Sequence, residues 1–465
     1  MKVKIARFFT LVLIAGVVLM KSSFAQGSKP PNIIFILADD LGWSSLSCSM
    51  DVTKPHAKSD YHETPNLCAL ASQGMRFSRA YAGSAICSPS RRSILYGQTP
   101  ARLGDDSFAS RYHPSVSDSK TVPQLLKMID NRYRTAHFGK WDMRAGFSPE
   151  DAGYDESDGD TGNRHGDLMT DKDDKWTTHF IAEDPKRMFT LTSRAKNFME
   201  RQTRSGNPFY LQISHYATHV DVQSREETYA KYASKSTGRK DSHVAFAAML
   251  DDLDSAIGEI MKTIGQLGIA GNTYVFFMAD NGATEFFPPV KNRLDHPGNF
   301  SNPMRNFPLR GGKWTLYEGG IRVPMMVTGP GIEANSHSNV PVAGWDLLPT
   351  FAALAGDASL ARTPDGGSFA SILKNKGEGS VKRATPELIF HRYNDGYPHS
   401  SLIDGDDKVI CFWKTGKVEL YDLATDPEEI NDLATTHRAK AQEMARRLTD
   451  YLESVNPGLI AFYKK

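Results

Sequence analysis

Nothing in this chain marks a nucleic-acid binder. Lysine and arginine number 55 against 54 acidic residues, a net charge of +1, and no basic stripe stands out along the sequence. Cysteine is scarce, four in 465 residues, which excludes a small disulfide scaffold. Internal repeats and low-complexity blocks are missing, which argues against a collagen, a coiled coil or a disordered chain. After Met20 no stretch is apolar enough to span a membrane. What remains is ordinary for a globular protein, with 40% hydrophobic and 23% charged residues. The length suits one large α/β domain followed by a smaller one.

The start of the chain reads as an export signal. Lys2, Lys4 and Arg7 precede an apolar run of 13 residues from Phe8 to Met20, and Ser23-Phe24-Ala25 forms a small-x-small cleavage site. Such a run is too short to cross a bilayer comfortably, and no cysteine follows it for lipidation. Removal of residues 1–25 would take four basic and no acidic residues, leaving a net charge of −3. The expectation is an exported protein, periplasmic or secreted, with no membrane attachment after cleavage.

Continuous apolar runs of strand length recur at Asn32–Ala38, Pro208–Ser214, Thr273–Ala279 and Val323–Thr328. They suit strands buried on both faces of a sheet. Helix-period segments lie between them at Asp184–Thr203, Ser242–Leu267 and Trp345–Leu354. The alternation predicts an α/β fold with a large, mainly parallel sheet flanked by helices. Such sheets bind ligands beyond the carboxyl ends of their strands. After about residue 375 the texture changes to short alternating stretches at Glu387–Tyr393, Ser400–Ile403, Lys408–Trp413 and Glu419–Asp422, then a helix at His437–Val455. This predicts a smaller C-terminal antiparallel subdomain over residues 377–465, after a larger N-terminal domain over 26–376.

Asp39 and Asp40 follow the first strand directly, and Asp280 and Asn281 follow the third in the same way. All four are therefore expected on one edge of the sheet. Carboxylate and amide oxygens suit a hard cation such as Ca²⁺ or Mg²⁺, although such pairs also serve as turns and helix caps. Cys87-Ser88-Pro89-Ser90-Arg91 reads as a helix start, with Ser88 as N-cap and Cys87 just before it. A helix N-terminus binds anions, and Arg91 would add a charge there. The other reading of Cys87 is a buried structural cysteine.

These residues carry a family resemblance. Cys87-Ser-Pro-Ser-Arg91-Arg-Ser-Ile-Leu95-Tyr96-Gly97 resembles C-x-P-S-R-x-x-x-L-T-G, the hallmark of the type I sulfatases of the alkaline-phosphatase-like superfamily, with Tyr96 in place of Thr. Asn32 to Asp39-Asp40-Leu-Gly, Ala279-Asp280-Asn281-Gly282, Leu309 to Lys313 and on to Pro324, Asp346 to Gly356, and Glu419 to Ala434 match further family segments in order. The resemblance covers roughly residues 31–434. It implies that Cys87 is oxidised after translation to formylglycine (3-oxoalanine) by a formylglycine-generating or maturase enzyme acting on the CSPSR segment. A hydroxyl of the hydrated aldehyde then attacks sulfur, and the second hydroxyl later expels sulfate.

The same resemblance implies that Asp39, Asp40, Asp280, Asn281 and the modified Cys87 hold Ca²⁺. Arg91 would hold the formylglycine hydroxyl, Lys140 and Lys313 would contact sulfate, and His219 would protonate the leaving oxygen. With Cys87 committed to chemistry, at most one disulfide can form among Cys48, Cys68 and Cys411, and the sequence leaves the pair open. Two further departures from the family pattern stand out. Thr218 occupies the usual proline position before His219, and Asp142 follows Gly139-Lys140-Trp141 where the family has histidine. Asp142 is therefore a candidate base. His165, His215, His296 and His391-Arg392 flank the motif strands, where loops set specificity, and His215 is taken as a candidate substrate contact. The expected activity is hydrolysis of sulfate esters on a carbohydrate of algal-polysaccharide or glycosaminoglycan type. The alternatives are an arylsulfatase on small esters and a phosphodiesterase or phosphonate monoester hydrolase of the same superfamily.

Overall fold

The computed structural model describes residues 29–105, 120–144, 146–166, 179–284, 305–361, 363–393 and 397–464. The export signal expected over residues 1–25, and His296, lie outside the described residues. The main sheet has eight strands: β1 (Asn32–Ala38), β2 (Met75–Phe77), β3 (Arg134–Gly139), β4 (Glu156–Ser157), β5 (Phe209–Ser214), β6 (Thr273–Ala279), β7 (Met325–Thr328) and β8 (Ser336–Ser338). Their order is β8-β2-β7-β6-β1-β5-β3-β4. β1 lies at the centre, parallel to both β5 and β6. Every residue of β1, β5 and β6 is buried, which is why their sequences are continuous apolar runs rather than alternating ones.

The fourth apolar run differs from the rest. β7 pairs antiparallel with both β6 and β2, so the sheet is mainly parallel with an antiparallel insertion. A buried run has no directional signature, and its sense depends on the connection that delivers it. Two predicted helices also start later than their sequence period. The helix expected from Asp184 begins at Met188, because Lys186 and Arg187 have positive φ and the Asp184 carboxylate accepts from Phe189 N and Thr190 N. The helix expected from Trp345 begins at Leu347 after a tight turn over Gly344–Asp346.

The C-terminal sheet runs Leu388–Arg392, His399–Asp404, Asp407–Phe412 and Lys417–Asp422, antiparallel throughout. Its strands alternate because each face has its own partner. Leu388, Phe390, Ile410, Phe412 and Tyr421 pack with Tyr81, Leu316, Tyr317 and Trp345 of the large domain. Ile389, Val409, Cys411 and Leu420 pack instead on the helix Arg438–Val455 through Met444, Leu448 and Leu452. A disulfide joins Cys48 to Cys68 with Cα atoms 5.7 Å apart. Cys87 and Cys411 are free and buried. None of the described helices is long and apolar enough to cross a membrane.

Candidate active site

Two strand ends and one helix start converge. β1 delivers Asp39 and Asp40, and β6 delivers Asp280 and Asn281. All four are at most 2% exposed. Asp40 has a φ of 57°, and its backbone N–H donates to Asp280 Oδ1 at 3.2 Å. Cys87 opens the helix Cys87–Tyr96, whose N-cap is Ile86. The expected cap by Ser88 is thus corrected: Ser88 lies inside the first turn, and its Oγ donates to Asp142 Oδ2 at 2.9 Å.

Close backbone approaches bring in the lysines. A side chain at Gly139 would meet Ser214 O at 2.0 Å, and one at Gly282 would meet Gly319 O at 1.8 Å. Only glycine allows these strand ends to lie so near their neighbours. Lys140 follows Gly139 immediately. Beyond Gly282, the carbonyl of Ala283 accepts from Lys313 N at 3.0 Å.

The result is a buried cluster of three carboxylates and three cations around the cysteine. Cys87 Sγ donates to Asp39 Oδ1 at 3.3 Å and lies 3.7 Å from Asp40 Oδ1. Lys140 Nζ is 2.6 Å from Asp39 Oδ2, and Lys313 Nζ is 2.7 Å from Asp40 Oδ2 and 3.5 Å from Cys87 Sγ. Arg91 donates through Nε and Nη2 to Asp280 Oδ2 at 2.9 and 2.7 Å, and through Nη1 to Lys140 O. Burial pushes the Asp39 carboxyl up, but Lys140, His219, Arg91 and Lys313 outweigh it and hold the group well below the usual range. Asp280 goes the other way, to about 7, because burial and the charge of Asp39 exceed the help from Arg91. Burial and Asp39 together push the Cys87 thiol well up, so the sulfur keeps its proton.

Whether this cluster fits a hard cation can be tested on its geometry. Ligand atoms of Asp39, Asp40, Cys87 and Asp280 all lie within 4.8 Å of one another. Asn281 Nδ2 donates to Asp40 Oδ1 at 2.7 Å, while Asn281 Oδ1 is buried without a hydrogen-bond partner among the described residues. An orphaned acceptor beside convergent carboxylates is a donor set for Ca²⁺ or Mg²⁺, and the residues present fit such an ion.

His219 closes the site, with Nε2 3.8 Å from Asp40 Oδ2. Its Nδ1–H donates to Val220 O at 2.6 Å, so the neutral ring presents Nε2 as an acceptor. Burial and Lys313 lower its pKa to about 4. Thr218, read only as a departure, has a task that sequence reasoning missed: its Oγ1 donates to the carbonyls of Asp39 and Asp40, each at 3.1 Å. A proline could offer no such donor. Asp142 lies beside Lys140, 3.8 Å from its Nζ.

His215, His165, His137 and His391 make no hydrogen bond to the cluster among the described residues. His215 is buried with neither ring nitrogen hydrogen bonded, and burial lowers its pKa to about 4. His165 is exposed and accepts from Gly162 N. His137 is hydrogen bonded to Ser214 Oγ at 3.1 Å. His391 is held by Ser400 Oγ and Tyr463 OH inside the C-terminal subdomain. Its neighbour Arg392 turns the opposite way and donates through Nε to Trp314 O, next to Lys313.

A convergent metal-type cluster at the carboxyl edge of a large, mainly parallel sheet, with a cysteine at a helix start, defines a hydrolase of the alkaline-phosphatase-like class. The chain belongs to the sulfatase family, whose profile matches residues 31–357. The profile of the N-sulphoglucosamine sulphohydrolase C-terminal region matches residues 312–457. N-acetylgalactosamine-6-sulfatase of Sus scrofa is 30% identical over 70% of this chain and 63% of its own length. Arylsulfatase A of Bos taurus is 29% identical over 79% of this chain and 71% of its own. The chain therefore spans somewhat under two thirds of the first relative. Among solved structures, Ps i-CgsB in complex with k-i-k-neocarrahexaose shares the fold with a TM-score of 0.72 and 24% identity, covering 92% of this chain and 94% of that one.

Proposed function

We propose that the protein is an exported sulfatase that hydrolyses sulfate esters on a carbohydrate, with Cys87 matured to formylglycine and one Ca²⁺ bound. The observation that carries this reading is Cys87 Sγ lying 3.3 Å from Asp39 and 3.5 Å from Lys313, between a carboxylate cluster and the sulfate-type cations. Asp39, Asp40, Asp280, Asn281 and residue 87 would hold the ion, which supplies positive charge to offset that of the transferring sulfate. The matured side chain supplies the nucleophilic oxygen.

The remaining work falls to the chain's own residues. With a cation held by the aspartates, Lys140 and Lys313, now paired with Asp39 and Asp40, would be free to grip the sulfate oxygens. Arg91 stays fixed by Asp280 and orients residue 87. His219, held through Nδ1–H by Val220 O, directs Nε2 at the leaving oxygen; once protonated it is a strong acid because burial favours loss of the proton. In this reading residues 26–376 hold the chemistry and residues 377–465 wall the pocket. A carbohydrate substrate is supported by the relative named for N-acetylgalactosamine 6-sulfate and by the neighbour crystallised with k-i-k-neocarrahexaose.

The test is the full chain, co-expressed with a formylglycine-generating enzyme and assayed on sulfated oligosaccharides with aryl sulfate and phosphodiester controls. Sulfate release from a sugar is the expected result. Turnover of the phosphodiester alone would overturn the reading.

A further inference from the structure

Strand alternation along Leu388–Arg392 puts Leu388, Phe390 and Arg392 on the face that meets the large domain. Leu388 and Phe390 are buried in the shared apolar cluster. Arg392, at the strand's end, instead meets Trp314, whose carbonyl accepts from its Nε at 3.3 Å. Trp314 N in turn donates to Ala85 O at 2.9 Å. The guanidinium is thus seated against the residue after Lys313, and that residue is itself bonded to the segment that leads into Cys87.

Arg392 is 1% exposed, and both its Nη groups are buried without a hydrogen-bond partner among the described residues. Three other buried guanidiniums are served by acids, Arg91 by Asp280, Arg92 by Asp105 and Arg322 by Glu318, and a fourth, Arg305, donates to Thr284 O and Oγ1. Beside Arg392 stand the rings of Tyr393 and Tyr463 and the uncharged His391 and His399, which bring no anion. Burial lowers the guanidinium's pKa to about 10, still far too high for it to lose its charge near neutrality. A buried, unpaired charge is costly unless an anion joins it. The planar fork left open on Nη1 and Nη2 matches two oxygens of a sulfate or carboxylate. Cys87 and Lys140, which the proposed substrate must also reach, are as deeply buried, at 4% and 0% exposed.

We infer that Arg392 binds a second sulfate group on the sugar whose ester sulfate is gripped by Lys140 and Lys313. The substrate class is then a sugar carrying at least two sulfates on one unit or on adjacent units. This rests on the sulfatase reading above. His391, pinned on the opposite face by Ser400 and Tyr463, holds the strand end so that the fork keeps its direction.

The test uses the full chain with Cys87→Ala, which binds without turnover. Calorimetry compares matched pairs of glucosamine, galactose and fucose sulfates bearing one or two sulfates, with inorganic sulfate as a separate titrant. At least one disulfated sugar should bind more tightly than its monosulfated partner. Adding Arg392→Gln should cut that preference by about tenfold to a hundredfold, the range of a charge-assisted pair of hydrogen bonds. Should Arg392→Gln fail to fold, Arg392→Lys keeps the charge, removes the fork, and is read on the same ratio. An unchanged ratio would overturn the inference, as would the absence of any disulfate preference in the parent. An inorganic sulfate lost on mutation without any sugar preference would also overturn it, by marking a structural anion. Sulfate release from the sulfated oligosaccharides by the matured wild-type chain tests the sulfatase reading by itself, so the two can fail separately.

Discussion

Ser88 Oγ donates to Asp142 Oδ2 at 2.9 Å, which ties the residue after Cys87, the proposed nucleophile, to the acid that follows Gly139-Lys140-Trp141. Asp142 has a φ of 54°, a left-handed conformation that Asp and Asn tolerate better than most residues. Asp142→Asn therefore changes charge and basicity without straining the backbone. If Asp142 is the base for sulfate release, kcat should fall by about a hundredfold or more with KM little changed, and a burst of alcohol should precede slow sulfate release. A raised KM with near-normal kcat would instead make it a sugar contact.

Cys87→Ala tests the nucleophile. The site loses one sulfur at the start of a helix whose residues are all buried, and the cluster of ion pairs around it remains. The variant should keep its thermal midpoint close to that of the wild type and lose nearly all turnover. In the matured wild type, mass spectrometry of the peptide spanning residue 87 should show the loss that accompanies conversion of a thiol to an aldehyde. Substantial sulfate release by the alanine variant would sink the mechanism.

Metal removal is the third test. Asp39, Asp40 and Asp280 are buried together, and although three cations pair with them, Asn281 Oδ1 is left without a partner among the described residues. A cation that binds only the folded chain stabilises it by mass action. Chelation should lower both the thermal midpoint and the activity, and Ca²⁺ should restore both. Metal analysis of the purified protein should find about one ion per chain, with oxygen ligands at roughly 2.3–2.6 Å. No metal, and no response to chelator, would remove the site.

Much of this arrangement is legible in the sequence because burial on both faces writes a continuous apolar run, and the polar residue that ends such a run falls at the sheet edge. That logic places Asp39, Asp40, Asp280 and Asn281 together. The alternation of the C-terminal strands is equally plain, since their two faces meet different partners. Other features depend on contacts between distant segments and leave no local trace. The antiparallel sense of Met325–Thr328 follows from its connection, and the Cys48–Cys68 pair needed Cα atoms brought to 5.7 Å. The task of Thr218 requires the carbonyls of Asp39 and Asp40 at hand. That Arg392 has no acid partner among the described residues depends on packing between distant segments, which a sequence pattern cannot record.

The C-terminal subdomain should respond to acid through two histidines. His391 is bonded at both ring nitrogens, to Ser400 Oγ at 2.8 Å and Tyr463 OH at 2.9 Å. His399 Nε2 accepts from Leu316 N at 3.1 Å while its Nδ1–H donates to Tyr397 O, and an imidazolium could not make the first of these bonds. Burial, aided by Arg392, lowers both to about 3 from an ordinary value of 6.5. Between those values the unfolded chain binds more protons than the folded one, so these groups stabilise the fold above about pH 6.5 and that stability is lost as pH falls toward 3. Each contributes at most about 1.4 kcal/mol per pH unit in that window. His399→Gln keeps an acceptor for Leu316 N and removes one titrating group. Denaturant-derived stability of the variant should therefore fall less steeply than that of the wild type between about pH 6 and pH 4, by up to one proton's worth of slope. Identical slopes would show that His399 is not held neutral by the fold.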